Sequence, residues 1–191
     1  MKILKNILLA LVVILAIASV GIYFLPDHYN VSKTIVINKP ADVVYSQVSD
    51  FNKWSAWSPF QEMDPKASNV VEGAPSAAGH KLSWEGEKSG AGNMTISAAV
   101  PGQSVNSDLE FIKPFKATAK DYWKLEQTGN TTKVVWGTEG GLSYPFGRLF
   151  GLSVDKMLGE MQQHGLDNLK KVCEALPDVA ALDSTAVVVI K

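Results

Sequence analysis

The chain opens on an unbroken apolar run and then changes period several times. Ile7 to Leu25 is 19 residues without a charge, and 13 of them are Leu, Ile, Val or Phe. As a helix rising about 1.5 Å per residue it is roughly 28 Å long, close to the ~30 Å hydrocarbon core of a bilayer. It is apolar on every side, which suits a membrane span better than a core helix, and Pro26 ends it. Val31 to Asn38 then alternates and is rich in Val, Ile and Thr, the pattern of a strand. Lys39-Pro40 leads a short amphipathic helix, Ala41 to Phe51, with Val44, Val48 and Phe51 at helical spacing. The aromatic stretch Phe51 to Phe60 reads as a helical turn and loop packed onto something.

A series of strands follows, divided by turn signals. Val70-Val71 is short. Gly79 to Glu85 puts His80, Leu82 and Trp84 on one face, and Asn93 to Val100 groups Met94, Ile96 and Ala98. Val105 to Ile112 groups Val105, Ser107, Leu109 and Phe111. Phe115 to Glu126 groups Phe115, Ala117, Ala119, Asp121, Trp123 and Leu125, and Thr132 to Thr138 groups Val134, Trp136 and Thr138. Hairpin-joined strands with one apolar face form an antiparallel meander. The last element is a helix from about Gly147 to Leu176, with Phe150, Val154, Met157, Leu158, Met161, Leu169, Val172 and Cys173 in a stripe. Gly151, Gly159 and Gly165 lie inside it. Each interior Gly costs on the order of 1 kcal/mol against Ala, so they mark either close packing or weak points. A curved antiparallel sheet with one apolar face needs a cover, and this helix has the length and the stripe to supply it. The expected fold is therefore α+β, a sheet wrapped around the C-terminal helix. A closed barrel fits worse, because the early helix interrupts the meander.

Charge narrows the function. Lys+Arg is 18 and Asp+Glu is 19; without Lys2 and Lys5, residues 26–191 carry 16 basic and 19 acidic groups. That surface has no basic surplus to neutralise phosphates, which argues against a nucleic-acid partner. One cysteine, Cys173, excludes an internal disulfide framework. Lys2 and Lys5 before the apolar run place residues 1–6 in the cytoplasm, residues 7–25 across the membrane and the remainder on the outer, periplasmic or extracellular, side. The rival reading is a cleaved leader with a small-x-small site at Ala16-Ile17-Ala18, although the apolar run continues seven residues past it. Residues 26–30 then form a short tether, 31–176 the folded domain and 177–191 a tail or linker.

Several segments resemble a known family. The opening strand and Pro-led helix (TIVINKPADVVYSQVSDFNKWSAWSPF), SWEG at Ser83 to Gly86, DLEFIKPFKATA at Asp108 to Ala119, TKVVWG at Thr132 to Gly137 and the terminal helix are similar to the START-like, helix-grip superfamily (SRPBCC), in its polyketide cyclase/dehydrase and lipid-transport branch. The resemblance covers about Tyr29 to Ala175, and bacterial members with a preceding membrane helix look similar as well. It implies a hydrophobic cavity between sheet and long helix that takes lipids, sterols, polyketides or similar molecules. It supplies no family-wide catalytic residue. Some relatives continue into a small effector-binding domain, and the tail is either the start of one or a flexible end.

Candidate chemistry is sparse. His28, His80 and His164 match no zinc motif; Gly141-Leu142-Ser143 and Gly151-Leu152-Ser153 lack the closing Gly of a nucleophile elbow; no phosphate-binding loop or dinucleotide fingerprint occurs. No metal, cofactor or catalytic residue is assigned. His80, Asp121 and His164 are polar groups on apolar faces. An unpaired core carboxylate is costly, so Asp121 is expected to be solvated, paired or protonated, either orienting a ligand's polar end or sitting wet at a strand end. The large apolar groups Trp84, Met94, Phe111, Trp123, Trp136, Met157 and Met161 either line a cavity with His80 and Asp121 or fill an ordinary core. The leading expectation is a membrane-held module that binds a hydrophobic small molecule or lipid. The alternatives are a cyclase/dehydrase-type enzyme using Asp121 and His80 as acid and base, or a sensor acting through a further domain.

Overall fold

The computed structural model describes residues 2–177. Its elements run α1 (Lys2–Tyr23), β1 (His28–Ile37), α2 (Ala41–Val48), a 3-10 helix (Phe51–Ala56), α3 (Pro59–Met63), β2 (Ser68–Glu72), β3 (Lys81–Gly86), β4 (Gly90–Val100), β5 (Ser104–Lys113), β6 (Ala117–Thr128), β7 (Thr131–Gly141) and α4 (Phe146–Ala175). The strands form one antiparallel sheet in the order β1-β7-β6-β5-β4-β3-β2. β1 therefore lies beside the last strand, and every later strand joins its chain neighbour by a hairpin. Register shifts at Ala91/Gly92 and Ile96/Ala98 help bend the sheet. The α+β helix-grip arrangement read from the sequence is what the chain adopts.

Local chemistry fixes the helices that fill the sheet. Pro40 at the head of α2 offers no side-chain cap, and the Ala41 N–H donates instead to Gln127 Oε1 at 2.8 Å. Asp50 caps the 3-10 helix by accepting from the Asn52 N–H. Pro59 opens α3, and Asp64 ends it while accepting from the Lys88 and Ser89 N–H groups of the β3–β4 turn. Ile37, Val44, Val48, Val134, Leu166, Leu169 and Cys173 are fully buried between α2, α4 and the sheet. Burial of each Val, Leu or Ile side chain among them stabilises by about 1.5–3 kcal/mol.

The glycines of α4 mark close packing. A Cβ on Gly165 falls 2.7 Å from the Trp136 ring and 2.9 Å from Pro59; on Gly159 it meets Lys33, and on Gly151 it meets Leu142. The helix approaches its neighbours at these points because no side chain intervenes.

Four details differ from the sequence reading. Phe115 is in the β5–β6 turn and is 81% exposed, because Lys113-Pro114 breaks the ladder and β6 starts at Ala117. His80 precedes β3 instead of standing within it. β1 already begins at His28, so only Phe24 to Asp27 separate it from α1, and no tether of residues 26–30 intervenes. The long helix starts at Phe146, one residue before the expected Gly147. The proposed tail falls almost wholly outside the described residues.

Candidate functional site

The domain pairs a solid half, between the sheet and α4, with an open half on its surface. In the solid half, the 3-10 segment delivers Trp54 and Trp57 onto Trp123 of β6 and Trp136 of β7. Trp123 and Trp136 face each other across the ladder and stack at 4.6 Å with 16° between planes. Trp57 meets both edge-on, at 5.6 and 6.0 Å, and Trp54 closes the group from the side. Such offset and edge contacts add to simple burial. All four rings are buried, so Trp123 and Trp136 are packed against side chains and present no open face.

Asp121 sits at the edge of this cluster, in mid-strand, and is 2% exposed. Its Oδ1 accepts from Trp136 Nε1 at 2.8 Å and from Thr138 Oγ1 at 2.9 Å. Gln162 of α4 donates to Thr138 Oγ1 at 3.2 Å and to the Val31 carbonyl at 3.3 Å, which ties β1, β6, β7 and α4 into one buried polar chain. Asp121 Oδ2 has no partner. Burial pushes the carboxyl up to about 6, against the opposing pull of the Trp136 and Thr138 donors. Asp121 is thus paired on one oxygen and buried. It is neither a wet strand end nor a cavity-mouth group.

His80 is fully buried elsewhere. Its Nε2 accepts from the Phe51 N–H at 3.0 Å, which assigns the proton to Nδ1, facing the Glu72 carbonyl at 3.0 Å. The ring stacks on Phe51 at 4.8 Å. His80 and Asp121 share no partner and no hydrogen bond joins them. With both ring nitrogens occupied, His80 staples the 3-10 helix to the start of β3, and the two residues do not form a general acid–base pair.

The open half lies between α3 and the middle of α4. A groove of about 660 Å³ is lined by Pro59, Glu62, Met63, Ser153, Lys156, Met157, Glu160, Met161 and His164. Glu62 of α3 meets His164 Nε2 at 2.6 Å and accepts from Asn168 at 2.8 Å, so a polar clasp spans the two helices at this groove. The His164 contact holds the Glu62 carboxyl below its usual range. On the inner face of the outlying strands, Trp84 lies over Gly92 and packs edge-on against Phe111 at 6.0 Å. Both are only partly covered, whereas Met94 is buried. Of the sequence candidates, Met157 and Met161 line the groove, Trp84 and Phe111 form a separate half-covered pair, and Met94, Trp123, Trp136, Asp121 and His80 belong to filled interior. Pro59, Met63 and Glu62 were not singled out from sequence. The sequence reads as a helical turn and loop up to Phe60, and nothing local signals a helix at Pro59 that faces α4. A second depression, of about 900 Å³, has among its lining the outward-facing Lys81, Asp108, Glu110, Lys120 and Glu139, a charged surface of mixed sign.

The family model for "Polyketide cyclase / dehydrase and lipid transport" matches residues 28–174, from the first residue of β1 to the end of α4. The chain belongs to that family. Among curated proteins nothing matches it. Solved structures similar to it include a protein from Chromobacterium violaceum, at 16% identity and TM-score 0.58, covering 78% of this chain and 98% of that one. The di-domain ARO/CYC StfQ from the steffimycin biosynthetic pathway is similar at 13% identity and TM-score 0.59, covering 78% of this chain and 51% of that one. A Thermobifida fusca protein is similar at 17% identity and TM-score 0.56, covering 78% and 95%. These likenesses establish the polyketide cyclase/dehydrase fold. In this chain the space between sheet and α4, where the sequence reading expects a cavity, is filled by buried side chains, the four indoles among them, and the groove lies outside it on the surface between α3 and α4.

Proposed function

We propose that this chain is a membrane-held binding module that takes a hydrophobic small molecule or lipid into the groove between α3 and α4. The observation that carries the reading is the groove itself. Its volume falls in the range of small-molecule sites, and its walls combine apolar Pro59, Met63, Met157 and Met161 with the Glu62–His164 clasp and with Ser153, Lys156 and Glu160. Methionines suit a site that accepts varied apolar shapes, because the thioether chain is flexible and polarizable. Membership of a family described by lipid transport and polyketide chemistry supports the same class of ligand.

The membrane half of the proposal rests on α1. Residues Ile3–Tyr23 are long and apolar enough to cross a bilayer, and none of that span is buried against the domain. Lys5 at its start, with Lys2, favours a cytoplasmic N-terminus and a domain on the outer side. The partners are then the bilayer and an apolar ligand. The test is uptake of an apolar fluorophore by the detergent-solubilised full chain, together with mass spectrometry of small molecules extracted from it. Met161→Trp, which fills the groove, is expected to abolish uptake while leaving the thermal midpoint close to wild type. Wild-type protein that carries no apolar molecule and takes up no fluorophore would overturn the reading.

A further inference from the structure

The sheet has two ends, and their chemistry differs. At one end lie the start of β1, the end of β7, the β5–β6 turn and the β3–β4 turn, as the strand registers require. This is also the end where α1 meets the domain. Tyr144 Oη bonds to the Ser19 hydroxyl, Arg148 Nη1 donates to the Tyr23 carbonyl, and the Arg148 guanidinium lies 5.4 Å from the Tyr23 ring. The Leu142 N–H also donates to the Asp27 carbonyl at 2.7 Å. Ser19 is four residues before the end of α1, or about 6 Å along the helix axis. The start of α4 is therefore held level with the last turn of α1, not beyond it.

Around that junction large apolar side chains stand uncovered among the exposed Asp27–His28 and Glu85–Lys113 pairs. Phe115 and Phe146 are each 81% exposed, Leu152 is 69% exposed, and Phe24, Leu149 and Phe150 are also open. Scattered exposed leucines need no explanation, but large aromatic and aliphatic side chains gathered at the end of an apolar helix do. Lys116 stands exposed beside Phe115, where its ammonium suits a lipid phosphate while the ring reaches deeper. On α4, Phe146, Phe150 and Met157 follow one another along one face, and Met157 and Met161 are already in the groove wall.

We infer that this end of the domain, the first two turns of α4 with the Phe115 turn, is a bilayer-inserting surface seated in the headgroup and acyl boundary of the leaflet that α1 leaves. The inference rests on the reading of α1 as a membrane span. Height carries it further than exposure alone: a side chain bonded to Ser19 cannot be lifted clear of the interface while α1 spans. The occupant is lipid, because the neighbouring apolar surface to which the patch is continuous is the lipid-facing side of α1. The stripe from Phe146 through Phe150 to Met157 then gives an apolar molecule a path from leaflet to groove without crossing water.

The test uses the full chain in lipid vesicles with an environment-sensitive fluorophore on single introduced cysteines. Cys173 is fully buried and does not compete for the label. Phe115→Cys and Phe150→Cys are expected to lose emission in vesicles carrying shallow nitroxide lipids and to resist quenching by aqueous iodide. Asn130→Cys, in the β6–β7 turn at the other end of the sheet, is expected to show the reverse. Val12→Cys, in the middle of α1, reports the anchor separately through deep-chain nitroxides. Quenching at Val12 with none at Phe115 or Phe150 overturns the insertion and keeps the anchor. No quenching at Val12 removes the anchor and the insertion with it.

Discussion

The two halves of the domain are built from different residues and end in opposite states. Near β6 and β7, Trp54, Trp57, Trp123 and Trp136 close on one another until no ring face is free. Near α3 and the middle of α4, Met63, Met157 and Met161 leave about 660 Å³ between them. The difference lies in what covers the sheet. The 3-10 segment brings two indoles down onto the first half, and Gly165 lets α4 approach Trp136. The groove side of α4 faces α3 and not the sheet, and carries Lys156, Met157, Glu160 and Met161. A helix-grip fold thus does not by itself specify a cavity; the covering segment decides where the sheet is filled. Rigid aromatic packing at one end supplies the stability that an open groove at the other gives up.

Three measurements bear on that contrast. The largest effect is expected for Trp136→Ala, which empties the stack and strips Asp121 of a donor. A loss of about 3–5 kcal/mol is expected in chemical denaturation of the detergent-solubilised chain, followed by circular dichroism. A loss below ~1 kcal/mol would show that the tryptophan cluster is not the rigid half.

The buried carboxyl gives the next effect. An unfolded Asp121 titrates near 3.8 and the folded one near 6. Between those values the folded chain holds more protons than the unfolded chain, so the Asp121 contribution to stability falls as pH rises through that window and is flat above it. Other carboxylates, Glu62 and Asp64 among them, are held below their usual range and act in the opposite sense. Asp121→Asn keeps the acceptor for Trp136 and Thr138 while removing the charge. Relative to wild type, it is expected to be more stable at pH 7 than at pH 4 by on the order of 1–3 kcal/mol, read as a difference in denaturation midpoint. An unchanged difference across the two pH values would mean that Asp121 does not titrate in that window.

The smallest effect is expected in the open half. Met157 is 46% exposed. Met157→Ala should cost under ~1 kcal/mol in the same denaturation assay, while weakening fluorophore uptake. A loss comparable to Trp136→Ala would place Met157 in a filled core and erase the distinction.

Much of this architecture was legible in the chain. The alternation of Val31 to Asn38, the meander and the stripe of the last helix were enough to predict the sheet, its cover and their order. Asp121 was picked out because a carboxylate at a position of the same parity as Ala119 and Trp123 must face inward. The identity of its partners was not legible, since Trp136, Thr138 and Gln162 come from elements brought together only by folding. Phe115 was misplaced for a local reason: its parity fits the inner face, but the preceding Lys113-Pro114 ends the ladder before it. The groove was the least legible feature. It depends on how far α3 stands from α4, a distance set by the Asp64 contacts to the β3–β4 turn and by the Glu62–His164 clasp, none of which has a periodic signature.

The linker between α1 and β1 has a consequence for traffic. Four residues, Phe24 to Asp27, span at most about 14 Å when stretched, and the Asp27 carbonyl is already committed to Leu142. With α1 in a bilayer, as proposed, such a leash leaves no room for shuttling between two facing membranes. If cargo changes hands, donor and acceptor must come to this protein by lateral diffusion within one sheet of lipid, or a second protein must descend onto its far side to collect.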